Sequence, residues 1–380
     1  MGAKTLNRHL PQRRLGRTDL SISVIGFGGA PLGETVPTMP MDVGVNLVRF
    51  AFKQGINYFD TARSYNDSEE KIGAALQDLR DECIIATKVP KKTRREVELS
   101  LEQSSGKLRT DRIDLAQIHG VNDQYALQSM MKPDGALEAL KEAQREGKVD
   151  FIGVTGHRPH ILVEAIKTGE FDTVQTPLNV ITRTSLDELI PLAKEMDVGV
   201  VIMKPFGGAP EYHDGSEEFR SLLGKDKVTI ARRALAFVLA KEISTVIPGF
   251  TTLEEVEAAV SAALKFDARQ VEECYQFWHE SKEGFCRESG FSPARVTCGR
   301  CLPCARLLDI PNILRYDQYY EYGLKRWAQD RYQRLPTRAD DCDECGECEQ
   351  RCPYNLPVID MLKKAHSRLK RTKWANTCNR

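Results

Sequence analysis

From residue 20 to about 264, short apolar runs alternate with amphipathic stretches, and this alternation restricts the fold more than any other feature of the chain. The runs are Val24–Phe27, Ile56–Phe59, Cys83–Lys88, Ile113–Ile118, Phe151–Val154, Thr173–Thr176, Val198–Met203 and Thr245–Ile247. Between and after them lie the helix-patterned segments Val43–Lys53, Ser68–Asp78, Arg94–Leu108, Ala136–Gly147, Pro159–Thr168, Ser185–Met196, Thr229–Ala240 and Leu253–Leu264. Several runs are almost wholly apolar, as strands buried on both faces of a parallel sheet must be. Eight strand–helix units in about 240 residues match the size and rhythm of an α/β (β/α)8 TIM barrel. An open doubly wound sheet is the alternative, but the first turn, Gly26-Phe27-Gly28-Gly29, lacks the Gly-x-Gly-x-x-Gly spacing that seats a dinucleotide in that fold. Ahead of the barrel, the residues flanking Arg17-Thr18-Asp19 predict a hairpin across the barrel floor.

After Lys265 the character of the chain changes, and the expected division is a barrel over residues 1–265 and a mostly helical module over 266–380. Helical stretches at Val271–Ser281, Tyr316–Arg331 and Val358–Lys370 surround two cysteine loops. The second loop reads Cys342-x2-Cys345-x2-Cys348-x3-Cys352-Pro353, the spacing by which bacterial ferredoxins hold iron–sulfur clusters. Two-residue gaps turn the chain enough to aim successive soft thiolates at one cluster, while the fourth cysteine starts a separate turn and in two-cluster ferredoxins serves the other cluster. A zinc site, which wants ligands in two pairs, fits the crowding less well. An earlier loop, Cys298-x2-Cys301-x2-Cys304, repeats the pattern incompletely. Seven thiolates fall one short of two four-iron clusters, and Cys286 could supply an eighth only at irregular spacing. One 4Fe-4S cluster is therefore expected, with a second possible as a three-iron form or with a non-cysteine ligand. Cys83 reads as a small buried hydrophobe, Cys274 and Cys378 as surface or helix positions.

Charge narrows the partners. Lys+Arg and Asp+Glu are both 54, which leaves no basic footprint for nucleic acid. The basic residues near the end, Lys363, Lys364, Arg368, Lys370, Arg371 and Lys373, read as a solvated helix end rather than a docking patch. No stretch approaches the roughly 20 apolar residues of a membrane helix, and the N-terminus has no apolar signal core. A cytoplasmic location is expected, in keeping with oxygen-sensitive clusters.

Catalytic groups of such barrels sit at the C-terminal ends of the strands. Those ends carry Asp60, Lys88 and His119, with Tyr65 five residues beyond Asp60. Each alone has an ordinary structural explanation; together, on three consecutive strands, they make a proton donor for a carbonyl that receives hydride. A tyrosine hydroxyl titrates near 10, a neighbouring ammonium lowers it, and a carboxylate holds that ammonium in place.

These residues carry a resemblance. Arg14-Leu15-Gly16-Arg17-Thr18, Phe59-Asp60-Thr61-Ala62-Arg63-Ser64-Tyr65, Ser68-Glu69-Glu70-Lys71-Ile72-Gly73, Thr87-Lys88 and Asp111-Arg112-Ile113-Asp114-Leu115 with His119 resemble the aldo/keto reductase superfamily. The cysteine module is similar to that of the members fused to a C-terminal ferredoxin-type 4Fe-4S domain. The resemblance implies NAD(P)H bound across the barrel mouth, Tyr65 as general acid, Lys88 as its partner, Asp60 as the anchor of Lys88, and His119 orienting the carbonyl oxygen. It implies that the nicotinamide amide meets Gln175 and the Thr155-Gly156-His157 turn, and that the phosphates lie near Lys204-Pro205-Phe206-Gly207, with Met203 and Gly249 completing the site. Met203 stands where the family usually places an aromatic, Ala258-Ala259 where it has a Glu-Asn pair, and Arg295 where many relatives carry a further cysteine.

The first function expected is reduction of a small aldehyde or ketone by NAD(P)H, with a structural or modulatory cluster. The alternatives are an electron-transfer protein serving a redox partner, and a cluster-based redox sensor. The loops Val121–Lys132 and Ala209–Lys227, where specificity of such a barrel resides, show only polar, flexible composition.

Overall fold

The computed structural model describes residues 10–34, 38–90, 93–179, 182–206, 227–265, 301–321, 325–352 and 355–370. A hairpin comes first: β1 (Gln12–Arg14) pairs antiparallel with β2 (Ser21–Ser23). Eight parallel strands follow: β3 (Phe27–Gly28), β4 (Tyr58–Asp60), β5 (Ile84–Val89), β6 (Ile113–Ile118), β7 (Val149–Thr155), β8 (Thr173–Pro177), β9 (Gly199–Met203) and β10 (Thr245–Ile247). Each pairs with its neighbour in sequence, and helices cover the outside. Bridges Ile25–Val246 and Gly28–Gly249 join the first strand to the last. The backbone bonds Gly26 N–H to Val246 O (2.9 Å) and Gly28 N–H to Pro248 O (2.8 Å) close the barrel.

Alternation along each strand explains the two apolar layers. Tyr58, Ala86, Leu115, Val201 and Ile247 point into the barrel and form one cluster with Leu15 and Ile22 of the hairpin, which plugs the floor. The alternate residues, among them Phe59, Ile85, Ala116, Ile118 and Ile202, pack outward against the helices. The plug approaches very closely: Gly16 has φ +54°, and a Cβ there would lie 2.1 Å from Gly199 N. Only glycine fits that contact. Arg13 holds the plug from one side by donating to the carbonyls of Leu239 (2.8 Å), Lys241 (3.3 Å) and Ile243 (2.8 Å).

Helices start where the sequence supplies caps. Thr93 and Glu96 form a capping box for Arg94–Leu108, and Thr252 and Glu255 form another for Leu253–Leu264. Other boundaries differ from the sequence pattern. The segment expected as Ser185–Met196 is a 3-10 turn at Thr184–Leu186 followed by a helix over Leu189–Glu195. The stretch Val121–Lys132, expected to be only polar loop, holds the helix Gln124–Met130, whose N-terminus is capped by Asp123 Oδ1 accepting from Ala126 N–H at 2.8 Å. Its buried Ala126, Leu127 and Met130 anchor it to the barrel.

The cysteine module has its own core. Helices Ile310–Glu321, Lys325–Gln333 and Val358–Leu369 bury Ile313, Leu314, Ala328, Tyr332, Leu362, Ala365 and Leu369. The helical stretch expected over Tyr316–Arg331 falls on the helices Ile310–Glu321 and Lys325–Gln333, with residues 322–324 outside the described ones. The expected boundary at 265/266, the helix Val271–Ser281, Cys274, Cys286, Cys298 and Cys378 lie outside the described residues, as does most of the loop Ala209–Lys227. Among the described residues no helix is long and apolar enough to cross a membrane.

Candidate active site and cysteine cage

The C-terminal ends of β4, β5 and β6 bring Asp60, Lys88 and His119 together, and the loop after β4 adds Tyr65. Lys88 Nζ donates to Asp60 Oδ1 at 2.5 Å and to the carbonyl of Thr61 at 2.7 Å. The same nitrogen lies 5.1 Å from the centroid of the Tyr65 ring and hydrogen-bonds its side chain. The Tyr65 and His119 rings meet edge to face, with centroids 5.9 Å apart at 86°. Asp60 and Lys88 are each 2 % exposed, so their interaction is hardly screened. Burial acts to lower Lys88, but Asp60 first and Tyr65 second outweigh it and hold the ammonium above its ordinary range. Burial pushes the Asp60 carboxyl upward, against Lys88 and the side-chain amides of Gln117 and Gln175. The direction that governs the site is that of Lys88: a buried cation aimed at a phenol.

The Tyr65 loop is held on every side. Tyr65 N–H donates to Ala62 O (3.0 Å), and Ser68 N–H donates to Tyr65 O (2.9 Å). Asn66, at φ 44°, donates Nδ2 to Gly33 O at 2.6 Å. Glu69, fully buried, accepts from Arg63 at 2.8 Å through one oxygen and from Thr87 Oγ1 at 2.7 Å through the other. Glu69 thereby ties the loop before Tyr65 to the strand that carries Lys88. Lys71, also fully buried, donates to Leu32 O (2.6 Å) and Asp67 Oδ1 (2.7 Å). Sequence reasoning assigned no role to Glu69, Thr87, Lys71 or Gln117. One signal was available: Glu69 falls three, four and seven residues before Ile72, Gly73 and Leu76, on the apolar stripe of its helix.

The expected cofactor residues form an arc along the same rim. Thr155 ends β7 opposite Gln175 of β8, and Met203 ends β9 opposite Pro177 and Ile247. Thr155 Oγ1 accepts from Gly120 N–H at 3.0 Å, and His157 N–H donates to Asn122 Oδ1 at 2.6 Å, so the turns after β6 and β7 are locked together. At Gly156 a Cβ would lie 2.4 Å from Val121 O. Lys204 has φ 58°, its carbonyl accepts from Asn179 Nδ2 at 2.9 Å, Pro205 is buried and Phe206 packs on the core. Gly249 completes the arc at the closing seam, where a Cβ would meet Pro31 Cγ at 2.6 Å. Gly207 lies outside the described residues. One observation tests the fit of a nicotinamide: Gln175 is 2 % exposed and engages Asp60, yet its Oε1 has no hydrogen-bond partner. Gln117 Oε1 is likewise without a partner, but Gln175 stands on the rim opposite Thr155, where a carboxamide N–H would satisfy its oxygen.

In the second module Cys304 joins Cys342, Cys345 and Cys348 around one cavity, with Leu308 and Ile310 on its wall. Cys352 is not part of that lining, and Cys298 lies outside the described residues. The Cys301 thiol is pushed up to about 12, first by burial and further by Cys348 and Cys352, with the Arg158 guanidinium acting against them. Glu344 N–H approaches Cys342 Sγ at 3.4 Å. The seven described cysteines are free thiols, and among the described residues no three His, Cys, Asp or Glu side chains converge on a single-ion site. What favours a polynuclear cluster over a single zinc ion is the run Cys342-x2-Cys345-x2-Cys348, joined around the cavity by Cys304 of the other loop.

An eight-stranded parallel barrel with an acid, a lysine, a tyrosine and a histidine at its rim defines an α/β-barrel oxidoreductase. The family model for the aldo/keto reductase family matches residues 24–279, and the chain belongs to that family. A 4Fe-4S dicluster domain matches residues 296–357. The chain is 31% identical over 287 residues to L-galactose dehydrogenase of Arabidopsis thaliana, an alignment that covers 67% of this chain and 89% of that protein. It is 25% identical over 307 residues to the NADH-specific methylglyoxal reductase of Escherichia coli, covering 65% and 92%. The fold is similar to that of an aldo-keto reductase of Bacillus halodurans in its holo form, with TM-score 0.61, 25% identity, and coverage of 74% of this chain and 100% of that one.

Proposed function

We propose that the chain reduces an aldehyde or ketone with NAD(P)H, using Tyr65 as proton donor, and that residues 266–380 form a separate iron–sulfur module. The observation that supports this most directly is the Lys88 ammonium, buried between Asp60 and Tyr65. When bound, the nicotinamide supplies a hydride to the carbonyl carbon. Tyr65 gives its hydroxyl proton to the carbonyl oxygen as the C=O π bond breaks, so one C–H and one O–H bond form. The negative charge left on the phenol faces Lys88, whose ammonium stabilises it without moving. Asp60 keeps Lys88 in place, and Gln117, donating to Asp60 Oδ2 at 3.1 Å, keeps Asp60 in place. The His119 ring, edge-on to Tyr65, directs the substrate oxygen toward the hydroxyl. Thr155, Gly156, His157, Gln175, Met203, Lys204, Pro205, Phe206, Gly207 and Gly249 hold the cofactor, with the free Gln175 Oε1 taking the carboxamide.

For the second module the reading is one 4Fe-4S cluster held by Cys304, Cys342, Cys345 and Cys348, with Cys298, Cys301 and Cys352 left to a second, incomplete site. Cys345 is exposed, which supports electron exchange with a redox partner as the second reading.

Tyr65→Phe tests the first reading. Carbonyl turnover should fall by about 10²–10⁴ while nucleotide binding and iron content stay unchanged. Undiminished turnover by Tyr65→Phe removes the tyrosine mechanism. Bleaching of the visible iron–sulfur absorbance on anaerobic addition of NADPH or NADH would instead put electron transfer first.

A further inference from the structure

Three elements of the cysteine module meet at one hydroxyl. Tyr332, on helix Lys325–Gln333, is fully buried. Its Oη accepts from Ala339 N–H at 2.9 Å and lies 2.8 Å from Nδ1 of His366, on helix Val358–Leu369. A phenol that accepts from Ala339 keeps its own proton for the neutral form of His366 Nδ1, and the Asp340 carboxylate, with Oδ1 3.4 Å from the same nitrogen, faces the imidazole from the turn. Burial pushes the Tyr332 hydroxyl up to about 12, so the phenol keeps its proton at neutral pH.

Ala339 opens the 3-10 turn Ala339–Asp341, and that turn delivers Cys342. Cys342 N–H donates back to Ala339 O at 3.3 Å, and Arg338 N–H is held by Asp341 Oδ2 at 2.8 Å. The first loop is tied to the same point: Thr337 Oγ1 donates to Leu307 O (2.7 Å), and Leu307 N–H to Cys304 O (2.9 Å). The short path from Tyr332 through Ala339 thus fixes the backbone of Cys342, while Thr337, two residues before Ala339, holds the backbone beside Cys304.

We propose that Tyr332, fixed by His366, is a positioning residue for the iron–sulfur cluster, setting the turn that presents Cys342. The inference rests on the cluster reading above. Its chemistry is that of outer partners in metal sites generally, where loss of a group that orients a ligand costs about 10–100-fold in metal affinity.

The test uses the full chain, purified without oxygen, with iron release to a ferrous chelator and the EPR spectrum of the reduced cluster as readouts. Tyr332→Phe keeps the buried ring and removes the hydroxyl, and iron should leave about tenfold faster. His366→Asn offers an amide oxygen near the place of Nδ1 and should retain iron close to the wild-type rate, whereas His366→Leu should behave like Tyr332→Phe. His366 is 25% exposed, so its two variants decide the matter even where Tyr332→Phe does not fold. Iron release by Tyr332→Phe at the wild-type rate overturns the inference, as do identical rates for His366→Asn and His366→Leu. A wild-type protein that holds no iron overturns the cluster reading itself, and the inference with it.

Discussion

Gln117 donates its side-chain amide to Asp60 Oδ2 at 3.1 Å, the oxygen that Lys88 leaves open. The charged pair at the heart of the site is thus completed by a neutral group from the next strand but one. Paired and hydrogen-bonded charges survive burial; a lone one does not. Asp60→Asn therefore abandons a buried ammonium and should destabilise the fold by about 3–5 kcal/mol. Urea unfolding followed by circular dichroism measures that loss, and an unchanged midpoint would contradict the buried ionic pair. Gln117→Leu keeps the pair and the Gln175 hydrogen bond to Asp60 and should cost less, about 1–3 kcal/mol, through the lost donor to the buried carboxylate.

Alkaline pH should separate two buried groups. Lys88 titrates above its ordinary 10.5 in the fold, so the stability it adds is complete below that pH and lost as pH rises through the folded value. The Cys83 thiol is pushed by burial from 9.0 to about 12, so the folded state holds a proton that the unfolded chain releases, and stability falls as pH climbs through that window. Wild-type stability should begin to decline near pH 9. Cys83→Ala should lower the plateau and make the decline above pH 9 shallower than in the wild type, the remainder coming from Cys301, whose thiol is raised over the same range, and then from the lysine. Thermal melts from pH 7 to 12 provide the comparison.

Two glycines of positive φ should respond differently to alanine. Gly16 (φ +54°) has Gly199 N at 2.1 Å from its missing Cβ, while Gly147 (φ +71°) has nothing within 4 Å. Gly147→Ala should cost only the left-handed backbone, about 1–2 kcal/mol, and Gly16→Ala clearly more, because the hairpin must also lift off the floor. Denaturant midpoints of both variants at one pH measure the difference.

The cage makes a ligand-specific forecast. Cys304→Ala should abolish the cluster that Cys342, Cys345 and Cys348 share, although Cys304 comes from the other loop. Cys352→Ala, altered within the same sequence motif, should leave that cluster in place. Iron and sulfide counts on anaerobically purified variants distinguish the two, and the reverse pattern would reassign the ligands.

The barrel was legible because its signals are local and repeated. Helix Arg94–Leu108 reads correctly to the residue: Thr93 and Glu96 begin it, and Arg109, at φ 55°, ends it. Asp60, Lys88 and His119 were found because strand ends can be counted. What escaped was whatever depended on the far side of a contact. Glu69 and Gln117 look like solvated polar residues until Arg63, Thr87 and Asp60 are brought against them. Helix Gln124–Met130 is too short for its period to rise above the polar residues around it. The ferredoxin spacing already implies an exchange of the last cysteine between loops, and the packing of the two loops brings Cys304 to the wall shared by Cys342, Cys345 and Cys348.

Arg13 reaches carbonyls 226 to 230 residues further along the chain. On a ribosome its partners are the last strand–helix unit but one to be made. At about 5–20 residues per second, the hairpin would wait on the order of 10–50 seconds with Leu15 and Ile22 bare. For that interval the nascent barrel is an open ribbon whose interior has no floor, and its exposed apolar edge is what a holding chaperone would grasp.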